Sequence, residues 1–330
     1  MTTQHDFKTE TGLDIERAAE LLQAGEVVAI PTETVYGLAA NALNESAVIK
    51  IYEAKERPQF NPLIIHVSSL EAAKKWVKHF PAQAELLANT FWPGALTLLL
   101  EKNEMIPDLV TAGHSRVAIR VPAHPLTLAL LQHLDFPLAA PSANPSGYVS
   151  PTTAVHVKDG LDGKIPYILD GGACTIGLES TIIGWDESEK PVIYRAGGIS
   201  KEAIEEVLQQ EVKEVAPVVN DPHTPGMLKS HYATSTPLHA GGIDGLLKKF
   251  PNKKAILIKY KEYQPDYPPS LQYILTPHND LHEAARNLFS ILREADQQQA
   301  DLILAEYAPN EGIGLAINDR IERAKWEWKK

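Results

Sequence analysis

Residues 30–67 read IPTETVYGLAANALNESAVIKIYEAKERPQFNPLIIHV, and the pattern predicts strand, sharp turn, helix, basic loop, strand. Gly25 to Ile30 is a short apolar run that stops at Pro31, as a buried strand does. Thr32-Glu33-Thr34-Val35-Tyr36-Gly37 then presents hydroxyls beside a glycine. Asn44 is placed to cap a helix on which Ala47, Val48, Ile51 and Tyr52 recur at helical spacing. Pro58 disfavours the α conformation at Arg57, so the helix ends near Lys55-Glu56-Arg57. Leu63 to Val67 is the next strand and carries His66 among aliphatic neighbours. Two cations, several hydroxyls and a histidine thus gather around one pair of strands, which suits an anionic, hydroxyl-bearing ligand. The plainer alternative is that Lys55 and Arg57 only complement the helix's C-terminal dipole.

Composition narrows the class. The chain has 330 residues, 44% hydrophobic and 22% charged, enough for two globular domains with sizeable cores. No apolar run reaches membrane-spanning length, and MTTQHDFKTETG at the N-terminus has no apolar signal segment. Cys174 is the sole cysteine, which excludes an intrachain disulfide or a multi-cysteine zinc site and fits a reducing cytoplasm, the expected location. The net charge of −11 is uneven: residues 1–210 carry −10 and residues 211–330 carry −1. An acidic first domain argues against strong direct nucleic-acid binding, yet leaves room for a phosphorylated small molecule in a local basic pocket.

Outward from the central stretch, helices are expected over residues 14–24, from Ser68 or Ser69 to about Phe80, from Pro81 to about Thr90, from His124 to about Leu134, from Pro151 to about Lys158 and from Ser200 to about Gln210. Strands are expected at Ala95–Leu100, Arg116–Pro122, Pro137–Ala140, Tyr167–Asp170, Ser180–Trp185 and Val192–Arg195. Residues 211–240 are rich in proline and histidine without periodicity and read as a linker or ordered crossover. Beyond them Lys254–Tyr260, Leu271–Leu275 and Leu302–Ala305 are strands, Asn279 caps a helix to about Asp296, and Gly314–Lys325 is a last helix. This is an α/β layer fold with a small βαβ domain behind it.

The sequence has no Walker A motif, no GxGxxG opening a helix after a strand, no HExxH and no GxSxG. What remains is a set of polar residues at strand ends: Thr34, Lys55, Arg57, Asn61, His66, Arg120, Ser142, Asn144, Ser150, Ser180, Thr181 and Arg195. Ligands of open α/β sheets bind at such a rim. Four cations converging there neutralise a polyphosphate without a P-loop. Each also has a plainer reading: Arg120 alternates with Ile119 and Val121 and could face solvent, and Arg195 could cap carbonyls before a turn.

Thr32-Glu33-Thr34-Val35-Tyr36-Gly37-Leu38, Lys55-x-Arg57 and Ser142-x-Asn144, extended by LESTII, YRAGGI and SHYA, resemble the YrdC family in its two-domain form. The resemblance implies a YrdC-like twisted mixed sheet with helices over residues 12–210. A linker acting as an active-site loop follows over 211–240, then a smaller Rossmann-like αβα domain over 241–330. It implies nucleotidyl transfer: ATP, L-threonine and bicarbonate or CO2 give L-threonylcarbamoyladenylate and pyrophosphate, with Mg2+ accompanying ATP. The product would pass to the tRNA threonylcarbamoyl-transferase machinery, for threonylcarbamoyladenosine in tRNAs reading ANN codons. Carried over residue by residue, Thr34, His66, Arg120, the Ala140 backbone and Ser180 match the threonine site. Arg57, Asn61, Arg116, Ser142, Ser150 and Arg195 match nucleotide contacts, although position 116 is expected to carry a small hydroxyl residue. Tyr232 is the contact expected from the loop, where Thr234 stands in place of a usual proline. Lys55, Arg57, Ser142 and Asn144 form the catalytic set. Metal ligands are not readable. The alternative function is a non-catalytic RNA-binding protein of the same fold, which the charge of −10 disfavours. A carbamoyl-transfer role fits less well, because its zinc-finger segments need more than one cysteine.

Overall fold

The computed structural model describes residues 8–58, 61–215 and 232–325, and they form two compact units. The first takes residues 8–146, 151–175 and 179–215 of the described chain. Its strands in chain order are β1 (Glu10–Gly12), β2 (Val28–Ile30), β3 (Gly37–Asn41), β4 (Ile64–His66), β5 (Leu96–Glu101), β6 (Arg116–Arg120), β7 (Leu138–Ala139), β8 (Tyr167–Leu169), β9 (Thr181–Trp185), β10 (Pro191–Arg195) and β11 (Lys213–Glu214). They make one mixed sheet in the order β1-β8-β2-β3-β7-β4-β6-β5-β9-β10-β11.

Local signals set many boundaries. The Asn44 side chain accepts from the Ala47 N–H and opens the helix Glu45–Lys55, which ends at Glu56 in the left-handed region, just before Pro58. Ser69 and Ser200 cap their helices in the same way, and Pro81 precedes Ala82–Phe91. Several expectations shift; the helix expected from Pro151 to about Lys158 is Ala154–Leu161, capped by Thr153. Gly37–Asn41 is a strand pairing antiparallel with β2, not part of the turn. The helix after Ser69 is short, Leu70–Lys74. The helix expected from Asn279 is capped by Asp280 instead, because Asn279 sits at a positive φ of 60°.

The alternation of the strands sorts the two faces of the central sheet. Ile65, Leu96, Leu98, Val117, Ile119 and Ile183 join the large core, into which Ala47, Val48, Ile51, Ala84 and Leu87 of the helices pack. Burying a Val, Leu or Ile side chain contributes about 1.5–3 kcal/mol, so this face anchors the unit. The opposite face carries a separate small cluster: Ile64, Leu99, Ala118 and Ile182, with Tyr194 packed on it.

The second unit takes residues 147–150, 176–178 and 232–325 of the described chain. Its strands β12 (Leu238–Ala240), β13 (Ala255–Lys259), β14 (Gln272–Ile274) and β15 (Leu302–Ala305) are all parallel, in the order β12-β15-β13-β14. The helix Leu281–Gln297 buries Ala285, Leu288, Phe289 and Leu292. Most of the expected linker, residues 216–231, lies outside the described residues. Its two ends are ordered: Lys213–Glu214 pairs with β10, and Leu238–Ala240 is the first strand of the second unit. Among the described residues no helix is long and apolar enough to cross a membrane.

Candidate active site

Five adjacent strands of the first unit each place a polar residue at one level of the face that carries the small cluster. His66 on β4 is the register partner of Arg120 on β6. Leu98 pairs with Ile119, which sets Thr97 on β5 opposite Arg120. The Thr97 and Ser180 hydroxyls lie 2.7 Å apart. Arg195, at the end of β10, donates from Nη2 to the Ser180 carbonyl at 2.8 Å and to its hydroxyl at 3.1 Å. With strands roughly 4.8 Å apart, this row spans about 19 Å.

Arg120 is tethered on three sides. It is 3% exposed, so it does not face solvent as its alternation with Ile119 and Val121 allowed. Its Nε donates to the Gly94 carbonyl at 3.1 Å and its Nη1 to the Thr34 hydroxyl at 2.8 Å. Its Nη2 stands 2.5 Å from Glu33 Oε1, a charge contact without an aligned hydrogen bond. A Cβ on Gly94 would collide with the Phe91 carbonyl oxygen, so only glycine permits the turn that aims this carbonyl at Arg120. Gly197, after Arg195, is constrained likewise: a Cβ there would strike the Glu179–Thr181 backbone. The YRAGG stretch therefore lies against the main chain that carries Ser180.

Beside Arg120, burial and the neighbouring guanidinium push His66 down to a pKa of about 3. The imidazole is neutral at physiological pH, and its Nδ1 has no hydrogen-bond partner among the described residues. It offers hydrogen bonds, not charge. Cys174, near Glu33, is 4% exposed and burial pushes its thiol up to about 12, so it is an inert packed residue.

A second polar group sits toward the start of β4, about 13 Å away by strand rise over four residues. Arg57 folds back to donate from Nη2 to the Pro62 carbonyl at 3.0 Å. Asn61 is 1% exposed, and neither end of its amide has a partner among the described residues. Lys55, 1% exposed, donates from Nζ to the Ser142 carbonyl, the Asn144 carbonyl and the Asn144 side-chain oxygen. An ammonium has three donors, and all three are taken. Burial first, then Arg57, pushes the Lys55 pKa well below its ordinary value, while the three oxygens stabilise the charge. Lys55 therefore holds the turn that presents Ser142, itself bridged to Gly37. Ala140 donates its N–H to the Ile64 carbonyl and borders β4 between the two groups.

Other expected residues lie elsewhere. Arg116 begins β6, at the opposite end from Arg120. Its Nη1 donates to the Trp185 carbonyl at 3.2 Å and to the Tyr194 hydroxyl at 3.0 Å. It lines a cavity of about 500 Å³ with Gln83, Glu101 and Trp185. Ser150 and Tyr232 belong to the second unit. The Ser150 carbonyl accepts from Arg293 at 3.4 Å. Tyr232 is fully buried, stacked on Phe289 at 5.3 Å, with the Arg320 and Arg323 guanidinium groups 5.4 and 5.2 Å from its ring. Sequence reasoning gave no role to Glu33 and Thr97. For Thr97 the signal was a hydroxyl inside the apolar run Ala95–Leu100; for Glu33, between two threonines, there was no local signal.

An apolar floor between two polar ends, one with an oriented guanidinium and a neutral histidine, the other with a second guanidinium and an amide unpaired among the described residues, can seat an elongated ligand with anionic groups. Among the described residues no three His, Cys, Asp or Glu cluster as a metal site.

Comparison with known proteins agrees with this architecture. A family model described as Sua5/YciO/YrdC, telomere recombination, matches residues 20–197. Another, described as threonylcarbamoyl-AMP synthase, C-terminal domain, matches residues 199–325. The chain is 43% identical over 325 residues to the threonylcarbamoyl-AMP synthase of Pyrococcus abyssi, covering 94% of this chain and 93% of that one. It is 43% identical over 324 residues to that of Bacillus subtilis, covering 94% and 92%. The crystal structure of P. abyssi Sua5 complexed with L-threonine matches with a TM-score of 0.87 at 43% identity, covering 94% of both chains. E. coli YciO, at a TM-score of 0.51 and 23% identity over 58% of this chain and 95% of its own, shares the fold. The chain belongs to the Sua5/YciO/YrdC family, in the form that carries the threonylcarbamoyl-AMP synthase C-terminal domain, and is an enzyme of the nucleotidyltransferase kind.

Proposed function

We propose that this enzyme makes L-threonylcarbamoyladenylate from L-threonine, bicarbonate or CO2 and ATP, releasing pyrophosphate. The product would supply threonylcarbamoyladenosine formation in tRNAs reading ANN codons. The observation that carries the reading is the pair of polar groups at the two ends of β4, Arg120 and His66 at one and Arg57 and Asn61 at the other, with the apolar patch of Ile64, Leu99, Ala118 and Ile182 beside that strand. The likeness to a relative crystallised with L-threonine supports it.

In this reading Arg120 holds the threonine carboxylate. Thr34, His66, Ser180 and the Ala140 backbone surround the rest of the amino acid. A hydroxyl partner such as Ser180 would separate threonine from valine, since the partner is left unpaired when the hydroxyl is missing. The threonine amine adds to CO2 and loses a proton, giving a carbamate. A carbamate oxygen then attacks the α-phosphorus of ATP in line, a P–O bond forms, and the bond to the pyrophosphate leaving group breaks. Both reactants are anionic, so Arg57 and Arg195 would offset their repulsion and the charge that builds in the transition state. Asn61 and Ser142 would contact the nucleotide, with Lys55 and Asn144 fixing the Ser142 turn. Arg116 would contact the nucleotide through its backbone, because its guanidinium is engaged by Trp185 and Tyr194.

His66, with a pKa near 3, would not carry the amine's proton at neutral pH; it would orient the amino acid. The described residues supply no carboxylate cage, so Mg2+ would arrive on the ATP phosphates, where it offsets their charge. The test is pyrophosphate release from ATP. Release should require both threonine and bicarbonate, and release indifferent to threonine would contradict the proposal.

A further inference from the structure

We propose that Glu33 is a positioning residue: it orients the Arg120 guanidinium and cancels its charge, so that this end of the site takes an amino acid rather than any small anion. The inference rests on the reading of Arg120 as the carboxylate clamp and assigns that clamp its counter-ion.

Both side chains are nearly inaccessible, at 4% exposure for Arg120 and 8% for Glu33. A buried guanidinium costs several kcal/mol unless paired, and Glu33 is the carboxylate that meets it. One oxygen of Glu33 accepts the Ala123 N–H at 3.0 Å, and the other faces Arg120 at 2.5 Å. Glu33 is thus tied to the backbone that leaves β6, the strand on which Arg120 sits. Arg120 has five N–H donors. Gly94 and Thr34 take one each, and Glu33 faces a third. Two remain, the number a bidentate carboxylate contact uses. With His66 neutral, the local formal charge of Arg120 and Glu33 sums to zero, which suits a zwitterion.

The pairing needs a carboxylate. In Glu33→Gln the amide can accept at only one end. Either orientation sets its NH2 against a donor, Ala123 N–H or Arg120 Nη2, so one tie must break. Glu33→Asp keeps the charge on a shorter stem.

Titration calorimetry measures threonine and ATP binding separately in the full-length protein. Glu33→Gln should weaken threonine about 10-fold or more and leave ATP affinity within about twofold, and Glu33→Asp should recover part of the loss. Unchanged threonine affinity in Glu33→Gln overturns the proposal while the site reading stands. A parallel loss of both affinities, with a lowered melting temperature, overturns it in favour of a purely structural role. Wild-type protein that fails to bind threonine overturns the site reading and this inference with it.

Discussion

The two polar ends of the site face are built differently. At the Arg120 end, side chains from distant parts of the chain hold one another in addition to the carbonyls of Gly94 and Ser180: Arg120 meets Thr34 and Glu33, and Thr97 meets Ser180. At the Arg57 end the cations lean on main-chain carbonyls, those of Pro62, Ser142 and Asn144, and the Asn61 amide is unpaired among the described residues. Interlocked side chains fix angles, which is what a small, chemically particular substrate requires. Backbone-held cations set a field and leave polar groups available, which suits a larger charged one. The first end should therefore govern selectivity for the amino acid, and the second affinity for the nucleotide.

The largest effect should come from Arg120→Lys. It keeps the charge but loses the fork, and kcat/KM for threonine should fall about 100-fold, in keeping with the roughly 1.5–3 kcal/mol of a hydrogen bond to a charged group. Steady-state kinetics against each substrate checks this. Lys55→Met comes next. It leaves the Ser142 and Asn144 oxygens without their donor, at about 1–3 kcal/mol for each group left unsatisfied. Melting temperature should drop by several degrees, and ATP affinity should fall with it. Thr97→Val is smaller. It removes only the partner of the Ser180 hydroxyl and should raise the threonine KM about fivefold, near the ~1 kcal/mol of a neutral hydrogen bond, leaving the ATP KM in place.

A pH effect on stability stands apart from these effects on substrates. The folded-state pKa of His66 is about 3, against about 6.5 unfolded, so the unfolded chain binds more protons between these values and stability rises with pH there. Denaturant melts should show stability falling from pH 6.5 toward 4, less steeply in His66→Asn.

Much of this contrast could be read in the sequence, but not all. The Asn44, Ser69 and Ser200 caps and the Pro58 stop act within one turn of helix, and so local pattern finds them. Cations and hydroxyls at strand ends could be picked out as candidates, although Ser150 among them falls in the second unit. The burial of Arg120 was not, because strand alternation names two faces without saying which is covered. Glu33 escaped notice because its role depends on a contact with β6, eighty-seven positions away along the chain. Gly37–Asn41 was hidden because the turn signal at Thr32–Gly37 overlapped its start, and its pairing with β2 is what shows it. The membership of Ser150 in the second unit likewise depends on contacts that no local window contains.

The most direct test compares Arg120→Lys with Asn61→Ala in pyrophosphate release, titrating threonine and ATP in turn. The account predicts a split: Arg120→Lys raises the threonine KM and leaves the ATP KM within about twofold, while Asn61→Ala does the reverse, by about the ~1 kcal/mol of one hydrogen bond. Equal shifts in both constants from either variant would contradict the assignment of the two ends to two substrates.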